Sequence, residues 1–586
     1  MDGKQLVLNN ANVVTMDVDS SRGRSVTIDG ARITAIGDAF KKAPRGSHMV
    51  DLQGATIIPG LIDTHCHVGF FGGKQGRVSL DGATSLQEIC RRIEERVRSA
   101  SRDEVIVTSP VGDGPYFFHV PEGLVEGRFP SRHDLDSVAP DHAVWITAAD
   151  NRSPNMAVLN SEALRRIGLM NGDHAGMVDG AAIEDGVMLL DGIEVLLDDR
   201  GVPTGQVRGA QELYNSSKYF PIFANLLQYE RSDLAGGILS RARERARQGA
   251  TSILENHGAT LEELEVFSSV ELPLRVFYAY YVNTMSDLAD IEEMFRMLVP
   301  CRRPRFGDGK LVLAGVGVDI DGTHSSGTAY SDKPYLGPRG ETVEPRPMVE
   351  EGKYEAIVRL AAKYGLRVHT CAAGRAASAM ALRVFERVFR DYEGANRRWL
   401  IEHALFPTAE QIRAASRLRV TVTTATNFVW GQYSEVWEPR LGPAYAEAGI
   451  PLKSWLQGGV CVCQTTDWGP QDMMFTLWQS MARRDGSSGM AVSQSECLSV
   501  DEALTVLTKN PAYALEMEDL LGSIEPGKLA DFTILSEDPS RVAMDDVRSI
   551  SVLGTMVDGE FATMSDELRA VNPVVVPGPN GADASL

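Results

Sequence analysis

The sequence predicts an α/β fold, a (β/α)8 TIM barrel joined to a small β domain assembled from both chain ends, with a large insertion after the first barrel strand. Three observations predict it. Through the middle of the chain, β-branched apolar runs alternate with helical segments, the pattern of βαβ units around a parallel sheet. Eight of these runs stand out, and eight strands close a barrel. Both ends carry instead short, turn-bounded runs in which apolar and polar residues alternate, as in antiparallel strands, and chain ends often lie close together.

The N-terminal strands are read at Gln5–Leu8, Ala11–Val14, Ser25–Ile28 and Ile33–Gly37, the last two separated by the turn signal Asp29-Gly30. The barrel strands are expected at Thr56–Asp63, Ala250–Glu255, Leu274–Val282, Lys310–Asp319, Leu366–Cys371, Trp399–His403, Arg419–Thr424 and Gly459–Thr466. Helical spacing between them covers Ser85–Arg98, Leu234–Gln248 and Tyr354–Tyr364. A ninth apolar run, Ala143–Thr147, falls in the long interval between the first two strands, where the insertion is placed at about 69–235. Short runs return at Ala530–Leu535 and Ser549–Gly559. From Asn572 onward, Pro573, Pro577, Gly578 and Pro579 predict an extended tail.

Composition narrows the function. With 586 residues, 43% apolar and 23% charged, the chain has the makeup of a globular protein with a substantial core. A formal net charge of −21 repels phosphate backbones and anionic lipid, which argues against nucleic acid and membrane surfaces as partners. No run approaches the roughly 18 apolar residues of a membrane helix. The start, Met-Asp-Gly-Lys-Gln, has no basic segment leading into an apolar one, so a cytoplasmic protein is expected. Seven scattered cysteines, an odd number, do not form a disulfide framework and are read as thiols.

The most informative stretch is Pro59-Gly60-Leu61-Ile62-Asp63-Thr64-His65-Cys66-His67. Residues two apart in a strand share a face, so His65 and His67 present two imidazoles side by side, at the strand end where barrel enzymes carry their sites. Other strand ends supply partners: His403, Asp467, and the pair His369 and Cys371. Each alone has an ordinary explanation, as a backbone-bonded histidine, a helix-capping aspartate or a buried apolar cysteine. Together, nitrogen, oxygen and sulfur ligands at one barrel end favour one zinc ion, with iron and manganese as other divalent choices.

These motifs resemble the amidohydrolase superfamily. The resemblance rests on Pro59–His67, Ile401-Glu402-His403-Ala404, Thr466-Asp467, Asn510–Ala514 and Gly522–Asp531; Leu135–Pro140, Gly201–Gly205 and Asp321–Thr323 extend it to the amidohydrolase-3, YtcJ-like branch, which includes N-substituted formamide deformylases. It implies a metal-dependent barrel at 56–510, a β-sandwich formed from 1–55 and 511–565, and a C-terminal tail at 566–586. It further implies a zinc-dependent hydrolase in which His65, His67, His403 and Asp467 are metal-site residues and metal-activated water cleaves a C–N bond of a small molecule. Asp467 would act as general base and then general acid, with His324 assisting. Relatives often form dimers, so a homodimer is compatible with it.

Two departures from the branch pattern matter. Where a His-Ala-x-Gly-Asp motif usually follows strand five, this chain has Cys371-Ala372-Ala373-Gly374-Arg375, which leaves open whether Cys371, or His369 on the same face, replaces the usual ligand, or whether metal binds poorly. No lysine precedes Asp321-Gly322, so a carbamate-bridged pair of metals is not expected. For the substrate, Trp430 and Trp468 offer aromatic surface, Arg375 a carboxylate anchor, and Asp321 and His257 polar contacts. An amide, formamide or carbamate is the leading substrate class. The alternatives are a non-hydrolytic decarboxylase, lyase or cyclase on the same scaffold, and an inactive binding homologue without metal.

Overall fold

The computed structural model describes residues 5–42, 46–69, 77–149, 155–172, 174–176, 181–190, 193–209, 226, 231–258, 261–302, 309–392 and 398–572. At its centre, eight parallel strands pair in chain order: Leu61–Cys66, Ala250–Gly258, Arg275–Tyr281, Leu311–Asp319, Val368–Ala372, Leu400–His403, Thr421–Thr424 and Cys461–Gln464. These are barrel strands one to eight. All eight expected runs form strands, but the first divides. Thr56–Pro59 joins the terminal sheet, and the barrel strand starts only at Leu61. The break falls at Gly60, whose N–H is taken by Asp531 O at 2.9 Å and whose place next to Thr251 leaves no room for a Cβ, which would lie 2.1 Å from Oγ1.

The barrel closes where strand eight returns to strand one. Asp467 N donates to His65 O at 3.0 Å, and Thr465 Oγ1 donates to the same carbonyl at 2.6 Å. Asp63, fully buried, fastens this seam: its carboxylate accepts from Thr465 Oγ1, from Thr466 N at 3.1 Å and from Thr466 Oγ1 at 2.5 Å. Its counter-charge is the equally buried Arg245, 2.6 Å away on the helix Arg231–Arg247. Burying a charged group is costly unless it is paired and hydrogen-bonded in this way. Outside the strands, helices bury apolar faces against the barrel; Trp399, for instance, meets Phe385 and Phe389 of the helix Arg375–Asp391 at ring distances of 5.1 and 4.8 Å.

Strands from both ends build one mixed sheet, in the order Glu560–Met564, Val552–Val557, Phe532–Leu535, Thr56–Pro59, Gln5–Val14, Arg22–Asp29, Arg32–Gly37, with Ser47–Asp51 also pairing to Gln5–Val14. The two runs expected at Gln5–Leu8 and Ala11–Val14 are one strand with an irregularity between Asn9 and Val13, where Asn10 takes a φ of 53°. Residues 566–571, expected as the start of a loose tail, form a helix, and Asn572 Oδ1 accepts from Asp51 N at 2.9 Å. The rest of the expected tail, 573–586, lies outside the described residues.

Between barrel strands one and two, a seven-stranded sheet stands in the order Ala182–Glu184, Val187–Leu190, Ile193–Leu197, Pro203–Arg208, Met156–Leu159, Ala143–Ile146, Val105–Thr108. The apolar run read at Ala143–Thr147 is a strand of this sheet rather than of the barrel. The helix Leu86–Val97 packs beside it and starts where Ser85 Oγ accepts from Glu88 N. No helix among the described residues is long and apolar enough to cross a membrane.

Candidate metal centre

Four of the predicted residues converge at the C-terminal end of the barrel. His65 is the penultimate residue of strand one and His67 follows the strand, their rings edge to face at 5.1 Å. His403 ends strand six, and Asp467 lies just past strand eight. Ligand atoms of His65, His403 and Asp467 all lie within 4.8 Å of one another. The carboxylate is the hub: Oδ1 stands 2.9 Å from His67 Nε2 and 3.5 Å from His65 Nε2, while Oδ2 stands 3.5 Å from His403 Nδ1.

Unusual backbone makes this convergence. His403 takes a φ of 70° and Asp467 a φ of 46°, a left-handed conformation that L-residues adopt at a cost and that surrounding structure must hold. In a regular strand Glu402 and His403 would face opposite sides of the sheet. Here both reach the site, His403 toward Asp467 and Glu402 toward His65, with Oε2 3.4 Å from Nδ1. His65 is thus set between two carboxylates, one at each ring nitrogen. His67 is held by Asn256 O, 3.3 Å from its Nδ1, and by the indole of Trp468 stacked on it at 4.6 Å.

The electrostatics favour a cation. Burial pushes the Asp467 carboxyl up, but the imidazoles of His65, His67 and His403 outweigh it and hold the group well below the usual carboxylate range. Burial pushes Glu402 well up, reinforced by Asp319 and Asp467. Asp467 Oδ2, fully buried, accepts no hydrogen bond among the described residues. Imidazole nitrogen and carboxylate oxygen are the donors that zinc takes in catalytic sites, so the residues present fit such an ion.

The remaining predicted residues divide. Cys371 faces the site from strand five but is not one of the three whose ligand atoms group together. Burial, then Asp319, Glu402, Asp321 and Asp467, push its thiol well up. His369 lies deeper and fully buried, with Nδ1 3.7 Å from Glu402 Oε1. Asp321 is occupied by backbone: it accepts from Ala373 N at 2.9 Å and from Gly374 N and Tyr330 N at 2.8 Å. These bonds fix the turn after strand five.

Arg375, expected as a carboxylate anchor, donates to Phe406 O at 2.8 Å, pairs with Asp332 at 3.0 Å and lies over the Tyr445 ring. His324 is buried against Phe406 and Tyr335, its Nε2 2.8 Å from Ser331 Oγ. Trp430 packs edge-on against Phe475 and Trp478. Trp468 alone of the two expected tryptophans touches a histidine of the site. The side chain of His257 lies outside the described part of the structure.

Sequence reasoning missed Glu402, Asp63 and Tyr281. Tyr281, at the end of strand three, hydrogen-bonds Asp319 at the end of strand four; burial, then Asp319 and Cys371, push its phenol up. An aromatic hydroxyl at a strand end was the available signal.

The amidohydrolase family model matches residues 48–562. The protein LONG AFTER FAR-RED 3 of Arabidopsis thaliana is 26% identical over 577 residues, covering 95% of this chain and 91% of that protein. The N-substituted formamide deformylase of Arthrobacter pascens is 25% identical over 587 residues, covering 95% of this chain and 98% of the enzyme. Among solved structures, an uncharacterized metal-dependent hydrolase from Pyrococcus furiosus shares the fold with a TM-score of 0.67 at 22% identity, over 92% of this chain and 100% of that one.

Proposed function

The chain belongs to the amidohydrolase family, and on that premise we propose that it is a zinc-dependent hydrolase that uses water to cleave a C–N bond of a small amide, formamide or carbamate. The observation that carries this reading is the meeting of His65, His403 and Asp467 within 4.8 Å at the barrel mouth. These three, with His67 bridged through Asp467, would hold one divalent ion. Bound there, the ion would make a neighbouring water acidic and draw electron density from the scissile carbonyl.

The protein's own groups do the rest. Asp467, the carboxylate hub, takes the proton of the attacking water through Oδ1 or Oδ2 and returns it to the leaving nitrogen. Glu402 fixes the ring of His65 by facing its Nδ1, which leaves Nε2 turned toward Asp467. Trp468 keeps the plane of His67 in place and covers one side of the site. Cys371 is read as a neighbour of the ligands rather than one of them.

Elemental analysis of the purified protein, with a screen of N-acyl, N-formyl and carbamate compounds in labelled water, tests the reading. The expected result is about one equivalent of zinc, retained in Cys371→Ser and lost in His403→Gln, with labelled oxygen in the acid product. Product without label would instead indicate a lyase or decarboxylase. Protein without metal, unchanged by added zinc, would refute the proposal.

A further inference from the structure

Strands three to five give the barrel mouth a second polar wall beside the metal centre. Ala279 of strand three and Leu400 of strand six share one apolar cluster with Ile62 and Leu254 of strands one and two, a meeting that only the barrel interior allows. The period of two puts Tyr281 on the interior face with Ala279, and Glu402 with Leu400. Paired residues of neighbouring parallel strands face the same way, so strand pairing carries this face around the wall. Tyr281 stands level with Gly317 and His369, and two residues nearer the mouth Asp319, Cys371 and Glu402 form a row across strands four, five and six. The row ends on the carboxyl group that faces His65, 3.4 Å from its Nδ1. Wall and metal centre are therefore continuous.

Two features make the wall a place for a ligand. Tyr281 and Cys371 are partly exposed, whereas Asp319 is only 9% exposed, so the phenol is met before the carboxyl group. Gly317 leaves the interior open beside them: a Cβ there would meet only Tyr280 O, at 3.9 Å. The chemistry of the wall is one-sided. Burial, then Asp319 and Cys371, keep the Tyr281 phenol protonated, and its proton goes to the bond with Asp319. Its oxygen thus meets a ligand as an acceptor. Burial, then Asp319 and the other acidic neighbours, keep the Cys371 thiol neutral. The row holds no arginine or lysine, so it does not select a carboxylate or phosphate. It calls for an N–H.

We propose that Tyr281 is a specificity residue of the hydrolase, its oxygen accepting a hydrogen bond from the N–H on the scissile nitrogen, so that N-monosubstituted amides and formamides are selected over tertiary amides and esters. The role rests on the hydrolase reading above, but recognition of the N–H can be tested without turnover. Calorimetric binding to the full-length, zinc-loaded protein would compare N-phenethylmethanesulfonamide with methyl 3-phenylpropyl sulfone, in which a CH2 replaces the N–H. The sulfonamide should bind about tenfold or more tightly, because the sulfone sets a CH2 against the phenol oxygen. Tyr281→Phe should bring the two within about twofold of each other.

In turnover, Tyr281→Phe should cut kcat/KM for N-phenethylformamide about tenfold more than for phenethyl formate, an ester of the same length without the N–H. Should Tyr281→Phe not fold, the comparison of the two probes on the parent protein decides alone. Selective sulfonamide binding with no hydrolysis of any compound would sink the hydrolase reading and keep the role of Tyr281. Equal binding of the two probes by the parent, or a preference that survives Tyr281→Phe, would overturn the proposal whatever the enzyme hydrolyses. Equal losses on formamide and ester would overturn it too, since a residue that only supports the fold acts on both.

Discussion

Replacing Asp63 by leucine should destabilise the protein far more than an average substitution. In the fold, Arg245 and Asp63 are both fully buried and 2.6 Å apart, and Asp63 also takes the Thr465 and Thr466 donors that hold strand eight to strand one. Asp63→Leu strands the guanidinium among Gln248 Oε1 and the Gln471 carbonyl, with no counter-charge in contact among the described residues. Removing one partner of a buried ion pair costs about 3–5 kcal/mol, while replacing both by apolar groups is roughly neutral. With a urea dependence at or above the upper end for small proteins, that loss lowers the unfolding midpoint by roughly 1 M. Tryptophan fluorescence during urea unfolding measures it. Asp63→Leu with Arg245→Met should recover most of the loss. If the single variant stays within about 0.5 kcal/mol of the parent, or the double variant is no better than the single, the pair does not hold the seam.

Two further outcomes are expected. Glu402→Gln keeps the side-chain shape but replaces the carboxyl group facing His65 Nδ1 by an amide, and should weaken zinc binding about 10–100-fold in a competition titration, whereas a residue that merely packs would leave the affinity unchanged. His324 carries a pH signature: burial, aided by Arg440, pushes its imidazole down to about 3, so the fold rejects a proton that the unfolded chain accepts near the ordinary value. The stability tied to its neutral ring is complete above the unfolded value and drains away as pH falls from there toward 3. His324→Gln cannot titrate, so its deficit in melting temperature relative to the parent should shrink between pH 7 and pH 5, and a constant deficit would show that the ring does not charge on unfolding.

The barrel was legible because its strands are β-branched runs of the right length and number, and His65 and His67 because a period of two puts them together. Glu402 was hidden by that same rule: alternation sends neighbours to opposite faces, and only the left-handed φ of His403 defeats it. Asp63 was quoted within its motif yet unreadable as a fastener, since its partners sit some 180 and 400 positions away. The partners of Arg375 and Asp321 were out of sight for a related reason. Charge at a strand end is visible in a sequence, but the carboxylate and backbone groups that satisfy it belong to other segments.

The closure of strand eight onto strand one also sets a timetable. His67 and Asp467, which touch in the finished fold, are 400 positions apart, so a chain leaving the ribosome displays its paired imidazoles long before their carboxylate exists. Joining such remote ends is a slow, entropically costly event. Until it happens the nascent polypeptide has no intact cup for a cation, and only the last turn of the cylinder makes one.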